Sequence, residues 1–486
     1  MSSLGVYALV LIVYMAVLLA TGLWTGRRTR SAADFYIGGR QVGPWVTAFS
    51  FVAAYFSSVV IVGGGAFGYK YGMSTIWIAA SNVFIGCTLA WMVLGRRLWH
   101  FSKRLDTMTI PGFIGRRYDA RNAEVFSAVI IFLFMIVYNV SVLQGMGRIV
   151  EGLMGIPYEQ GVLISGLIIL AYVAVGGYLA VVWTSFIQAW IMLFGLILLA
   201  VVTLSAAGGI SVVNARLAAM DQGLVATPGI WGWQGLISYC LIVSLGVWGM
   251  PQLLVRFYSM QSTRVLRLGT VLATLGGAMA FLPYFTGAVS RTLLPALDNP
   301  DLAIPTLTRM VLNPWGGAVF LAGVLAAGMS TFSSVLIIVS AAIVNDLRRP
   351  AKAANAGGAE ARSGGRRDVM LGRVASLGAG LISLLIAFRP PALILVVTAF
   401  SWAVIASACL WPVVLGVYWK RGTRQGAMAS MVAGTVTSLG WMVAKMPFGI
   451  HGFIPGVLVS LLVFVGVSLA TAPTAPGLVQ KAWGAR

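Results

Sequence analysis

Residues 53–65 read Ala53-Ala54-Tyr55-Phe56-Ser57-Ser58-Val59-Val60-Ile61-Val62-Gly63-Gly64-Gly65, in the middle of an uncharged stretch from Gly43 to Tyr69. A helix needs about 20 apolar residues to cross a hydrocarbon core roughly 30 Å thick, so this stretch is long enough to span a membrane. Its centre, however, holds adjacent serines and a glycine triplet. A second uncharged segment, about residues 235–255, is interrupted in the same way by Gly246, Gly249 and Met250-Pro251. Glycine and proline are common in membrane helices, where they permit close packing. Their matched positions in two segments point instead to helices broken near the midplane. Transporters built from inverted repeats use such breaks to free backbone groups for ions and solute.

The rest of the chain fits that environment. Only 9% of the 486 residues are charged and 59% are hydrophobic, against about 25% charged in soluble domains. The apolar segments are about twenty residues long, not the ten alternating residues of a barrel strand. Thirteen are counted between residues 4 and 471, among them 160–183, 185–207 and 315–345. The reading is an all-α polytopic membrane protein with 13 transmembrane helices. Assigning the connections alternately to two sides divides the basic residues 26 against 7. The richer side, with Arg96, Arg97, Arg116, Arg117, Arg256, Arg264 and the loop 351–365, is then cytoplasmic. The net charge of +21 is thus a topology signal, and no nucleic-acid partner is needed to explain it. The N-terminus falls outside and the C-terminus inside, as in an integral protein of a bacterial plasma membrane surrounded by lipid. No connection is long enough for a soluble catalytic module, and no obligatory protein partner is evident.

With five spans in each unit, the second unit starts from the opposite side of the membrane, which is the arithmetic of a five-plus-five inverted repeat. Residues 1–33 form a preceding helix, 34–183 and 184–207 the first repeat, 208–420 the second, and 421–486 two final helices with a short tail. The ninth span carries Ala327-Gly328-Met329-Ser330-Thr331-Phe332-Ser333-Ser334, in which positions 327, 330, 331 and 334 share a helical face. Hydroxyls on one face, opposite carbonyls freed by a broken helix, make a neutral oxygen cage for a hard monovalent cation. Serine and threonine in membrane helices also bond back to their own preceding turn. No Asp or Glu lies deep in a span, which favours a metal cation over a proton relay. Cys87, Cys240 and Cys409 sit apart in apolar runs. No HExxH, GxSxG or Walker-type loop is present, so the chain reads as no enzyme.

Four motifs resemble those of the sodium:solute symporter family. They are Asp34-Phe35-Tyr36-Ile37-Gly38-Gly39-Arg40; Gly176-Gly177-Tyr178-Leu179-Ala180 through Thr184 and Gln188; Met329-Ser330-Thr331 with Asn345-Asp346-Leu347; and Gly416-Val417-Tyr418-Trp419-Lys420-Arg421-Gly422 continuing to Gly434. The resemblance spans about residues 34–440, and the nearest branches are the pantothenate, monocarboxylate and proline carriers. It implies a leucine-transporter-type fold, alternating access, and a co-transported sodium ion between the first broken helix and the ninth span. Carried over by position, the sodium ligands are the carbonyls of Ala53, Phe56 and Ala327 and the hydroxyls of Ser330 and Thr331. Substrate-facing positions are Ser57, Tyr138, Asn139, Gln144, Trp248 and Trp402. Tyr55 and Ser185 stand where family members carry aspartate, which leaves any further carboxylate-assisted sodium interaction in doubt.

The expected function is sodium-coupled symport of a small organic solute. With no acid near the site, a carboxylate-bearing molecule held by half-helix N–H groups is the natural solute. Arg256 is placed near the inner end of the seventh span, which leaves no basic side chain near the midplane. A proton-coupled or uncoupled carrier and a membrane solute sensor are the alternatives.

Overall fold

The computed structural model describes residues 2–26, 32–294, 296–348 and 366–484; the expected cytoplasmic loop 351–365 lies outside them. The described chain is helical throughout, with one isolated bridge between Val42 and Met260. Ten helices are long and apolar enough to cross a membrane, or up to eleven if the bent pair Gly232–Gly249 and Pro251–Ser259 is one span. That count is lower than the expected thirteen, and two helical runs are longer than one crossing. Val59–Arg104 has 46 residues and Tyr158–Ala206 has 49. Straight helices of that length would reach about 70 Å, twice the hydrocarbon thickness. The first run turns at Gly72, whose φ of 75° and ψ of −154° are open to glycine and strained for other residues. The second begins where the Tyr158 hydroxyl donates to Ala387 O and passes Tyr178, which donates to Ser259 Oγ. It ends beside Ala207, which packs with Leu224 and Val289. Leu224 in turn lies against Gly72.

Both expected breaks are present. The first half-helix, Pro44–Tyr55, starts with proline at a position where no amide is needed. It stops at Phe56 (φ −94°, ψ 76°), and helical structure resumes through Val59–Gly63 and Gly64–Tyr71. The second runs through Gly232–Ser244 and a tighter turn at Gly246–Gly249. Met250 is extended (φ −86°, ψ 112°), and Pro251–Ser259 follows at an angle of 42°. Proline disfavours helical geometry in the residue before it, so Met250 is where the break must fall.

The glycine triplet serves packing. A Cβ on Gly65 would sit 2.1 Å from Ile304 Cγ1, and one on Gly287 would sit 2.0 Å from the Gly65 carbonyl. The helices Gly64–Tyr71 and Phe281–Ser290 therefore touch backbone to backbone. At the centre lie Pro314–Ala341 and Ile394–Tyr418, buried along most of their length. Phe84, Phe194, Leu275, Leu385 and Leu462 are exposed on the outside of the bundle, where lipid is the solvent.

Two arginines assigned to solvated connections are inside the protein. Arg117 is fully buried, donating from Nε to Gly416 O (2.8 Å) and from Nη2 to Trp419 O (3.0 Å). Arg256 is fully buried on Pro251–Ser259. Charge counting along the sequence cannot distinguish a loop arginine from one folded back against carbonyls.

Candidate functional site

A helix that ends at Tyr55 leaves its last carbonyls without partners in its own helix. Two of them meet the hydroxyl face of Pro314–Ala341. Ser330 Oγ lies 2.9 Å from Ala53 O and 2.9 Å from Ala327 O. Thr331 Oγ1 lies 3.1 Å from Ala54 O and 3.2 Å from Ala327 O. Ser330, Thr331, Ala53, Ala54 and Ala327 are all fully buried. Each hydroxyl has one hydrogen and two lone pairs. It can donate to these carbonyls or turn its hydrogen aside and offer oxygen with them to a cation. Phe56 ends the half-helix: its N–H donates to Val52 O (2.9 Å) and its ring stacks on Tyr55 at 4.8 Å, while the second hydroxyl reaches the carbonyl of Ala54, two residues earlier. The residue spacing could locate the face but not which carbonyl the neighbouring turn presents.

On the far side of the break, Ser57 is buried, accepts from Val59 N at 3.2 Å, and pairs with the Tyr138 hydroxyl. Tyr138 meets Trp402 edge to face at 5.7 Å, and Trp402 stacks on Tyr55 at 6.2 Å. The three rings come from the first broken helix, Arg121–Met154 and Ile394–Tyr418. Asn139 is buried with both side-chain amide atoms unpartnered, as is the Trp402 indole N–H. These polar atoms, buried beside aromatic rings, are what a mixed polar and apolar solute needs.

Two expected positions have protein partners of their own. Trp248 is half-buried and donates to Ile85 O at 3.0 Å, so it braces Asn82–Leu89, beyond the Gly72 turn. Gln144 donates to Asp301 Oδ2 (3.3 Å) and Ala392 O (3.0 Å). It lies six residues beyond Tyr138 on Arg121–Met154, next to Gly145, which packs against Ser58 at the first break. Tyr55, in place of the family aspartate, sends its hydroxyl to Asn82 and to Val243 O and so ties the first broken helix to the second. Ser185 is buried with its hydroxyl unpartnered.

The sequence reading missed three residues. Asp301 is a fully buried carboxylate in the short helix Pro300–Leu302, accepting from Ile394 N at 3.2 Å as well as from Gln144. Burial pushes its carboxyl up to about 6, against the opposing pull of the Ile394 amide and of Arg148. Arg256 donates from Nη2 to Ser334 Oγ at 2.7 Å and faces the Tyr178 ring at 5.2 Å. Ser334, its partner, is one helical turn beyond Ser330. Gln252, one turn before Arg256, is fully buried with both amide atoms unpartnered. Their i, i+4 spacing after Pro251 was the available signal.

Residues 35–434 match the sodium:solute symporter family, and the chain belongs to that family. It is an integral membrane protein of a family of transporters, and its co-transported ion is sodium. The sodium/pantothenate symporter of Escherichia coli strain K12 is 30% identical over 469 residues, covering 94% of each chain. The osmoregulated proline transporter OpuE of Bacillus subtilis strain 168 is 29% identical over 471 residues, again with 94% of each chain covered. In three dimensions the chain resembles a Na+-coupled sialic acid symporter in its substrate-bound outward-open state. The TM-score is 0.81 at 18% identity, with 97% and 98% of the two chains covered. Mhp1, a nucleobase-cation-symport-1 family transporter, matches at a TM-score of 0.60 and 12% identity, covering 92% of this chain and 97% of that one. These likenesses give the fold, which is of the leucine-transporter type.

Proposed function

We propose that the protein carries a small carboxylate-bearing solute into the cell with sodium, by alternating access around the two broken helices. The sodium ligands in this reading are the Ser330 and Thr331 hydroxyls with the carbonyls of Ala53, Ala54 and Ala327. The solute lies against Tyr138, Trp402, Tyr55 and Ser57, with Asn139 as a polar anchor. Thirteen crossings, counting two for each over-long helical run, give the five-plus-five repeat, with the N-terminus outside and the C-terminus in the cytoplasm.

The observation that carries the proposal is the convergence of two hydroxyls and three carbonyls at the first break. It is a neutral, buried, oxygen-only cluster that suits sodium and has no ionisable group to relay a proton. The proline and pantothenate named for two relatives both carry a carboxylate, and a half-helix N-terminus can hold one without a basic side chain. The test is uptake by proteoliposomes of a panel of radiolabelled acids, zwitterions and sugars under an imposed sodium gradient. For the acid that is carried, its amide or methyl ester should compete at least tenfold more weakly, a difference of about 1.4 kcal/mol. Sodium-driven uptake of sugars with no uptake or competition by carboxylates would overturn the solute assignment.

A further inference from the structure

The motif that begins Gly416-Val417-Tyr418-Trp419-Lys420-Arg421-Gly422 has no part in the site described above. Its Tyr418 ends the helix Ile394–Tyr418 sixteen residues beyond Trp402, about 24 Å along the axis. Most of the motif is structural. The carbonyls of Gly416 and Trp419 receive Arg117. Tyr418 donates to Val93 O at 2.6 Å, and Arg421 donates to Leu469 O and Thr471 O at 3.2 and 2.7 Å. Gly422 O accepts from the Thr474 hydroxyl at 2.8 Å, and Thr423 caps Arg424–Val443 by accepting from Gly426 N at 3.1 Å. Lys420 has no such task. It is exposed, and among the described residues no hydrogen bond or ion pair engages its ammonium.

Lys420 lines a cavity of about 570 Å³ together with Arg421, Thr474, Val479, Gln480 and Trp483. The lining holds two cations and no acid. One wall is the last described helix, Pro476–Trp483, which is fixed by its final turn. Arg104 donates to the carbonyls of Ala482 and Trp483. The Trp483 ring meets Phe101 edge to face at 4.9 Å and the Arg117 guanidinium at 4.4 Å. These contacts keep Val479 and Trp483 at the cavity as apolar surface. Leu469, whose carbonyl takes Arg421, is exposed beside it. With Leu462 and Leu458, at spacings of seven and four residues, it forms an exposed apolar stripe along Phe453–Ala470. Positive charge at the foot of a lipid-facing stripe matches a molecule with an anionic head and apolar chains. A zwitterionic headgroup brings its own cation towards Lys420 and Arg421, and a free anion has nothing to lay along the leucines.

We propose that this cavity binds one anionic phospholipid of the cytoplasmic leaflet, with its phosphodiester between Lys420 and Arg421, its glycerol over Val479 and Trp483, and its chains along Leu469, Leu462 and Leu458. From the proposed function the inference takes only the orientation that puts this basic end of the bundle in the cytoplasm, where anionic lipids attract basic residues. It is independent of the sodium and solute ligands.

The test is native mass spectrometry of the full chain, delipidated in detergent and titrated with phosphatidylglycerol or with phosphatidylcholine of the same acyl chains. This reads lipid binding without reference to orientation, sodium or solute, so a failure of the transport reading leaves it intact. The parent should bind its first phosphatidylglycerol about fivefold more tightly than phosphatidylcholine, or better. Lys420→Gln should weaken phosphatidylglycerol by about fivefold, and Lys420→Arg, which keeps the charge, should stay within about twofold of the parent. Arg216→Gln removes an exposed charge from the distant helix Ile210–Met220 and should also stay within about twofold. Inorganic phosphate equimolar with the lipid should not displace it. Equal affinity for the two lipids, unchanged binding in Lys420→Gln, an equal loss in Arg216→Gln, or displacement by phosphate overturns the proposal.

Discussion

In the first broken helix the chain leaves helical geometry at Phe56 with neither a proline nor a positive φ, and it is held open from outside by the hydroxyls of Ser330 and Thr331. In the second, Pro251 enforces the break within the segment itself, and the following half-helix carries the buried Arg256. Their surroundings differ in the same sense. The outer part of the first is clamped by backbone, with Gly68 against Tyr284 O and Ala288 N, and with Gly63 against Ile394 close to Asp301. In the second, Gly249 comes close to the backbone at one point, a Cβ there lying 2.9 Å from Ala406 Cα, but a Cβ on Gly246 would meet only the rims of Phe453 and Trp402, at 3.6 and 3.8 Å. Related interruptions thus serve different ends. One presents neutral oxygen and depends on its neighbours for its shape; the other presents fixed charge and depends on its own proline.

The sharpest way to break this comparison is to add one methyl group to each helix. In Gly68→Ala the new Cβ would lie 2.1 Å from Tyr284 O and 2.8 Å from Ala288 N. Backbone atoms cannot step aside, so a loss of about 3 kcal/mol or more is expected. Gly246→Ala makes only ordinary contacts and should change stability by less than about 1 kcal/mol. Thermal unfolding in detergent measures both. Equal losses would show that the two helices are equally clamped.

The clamp around the first helix also contains a titratable group. Burial raises the Asp301 carboxyl from its ordinary value near 4 to about 6, so the folded protein favours the protonated form. The stabilisation from that proton is complete below about pH 4 and is lost as pH rises through 6. Asp301→Asn keeps an oxygen for Ile394 N and Gln144 and removes the charge. It should be the more stable protein at pH 7, by on the order of 2–3 kcal/mol, with the difference closing towards pH 4. A parallel pH dependence of unfolding in parent and variant would exclude Asp301 as the cause.

A comparable effect concerns the ion. Ser330→Ala/Thr331→Ala removes both hydroxyls from the first break, and the sodium concentration for half-maximal uptake should rise roughly tenfold to hundredfold, about 1–3 kcal/mol. Ser333→Ala, which removes a hydroxyl turned back to its own helix, should shift it by less than about twofold. If the two changes weaken sodium equally, the division of the hydroxyl face into a cation pair and a structural pair is wrong.

Much of this protein was determined by properties that add up along a chain. Hydropathy and the scarcity of charge make it a bundle of membrane helices. Pro251 places the second break, and three- and four-residue spacing puts Ser330 and Thr331 on one face. What the sequence could not determine depends on which surfaces meet. Ala54 joins Ala53 against the hydroxyl face because the packed height of one helix against another selects the carbonyl. Gln144 finds Asp301 because the short helix Pro300–Leu302 packs against Arg121–Met154 at that level. Arg117 and Arg256 carry the same formal charge as any loop arginine, and only tertiary packing, by closing carbonyls and hydroxyls around them, decides that they are buried. Local pattern sets which residues can face the interior, and the partner that a buried polar group finds there is a property of the assembled helices.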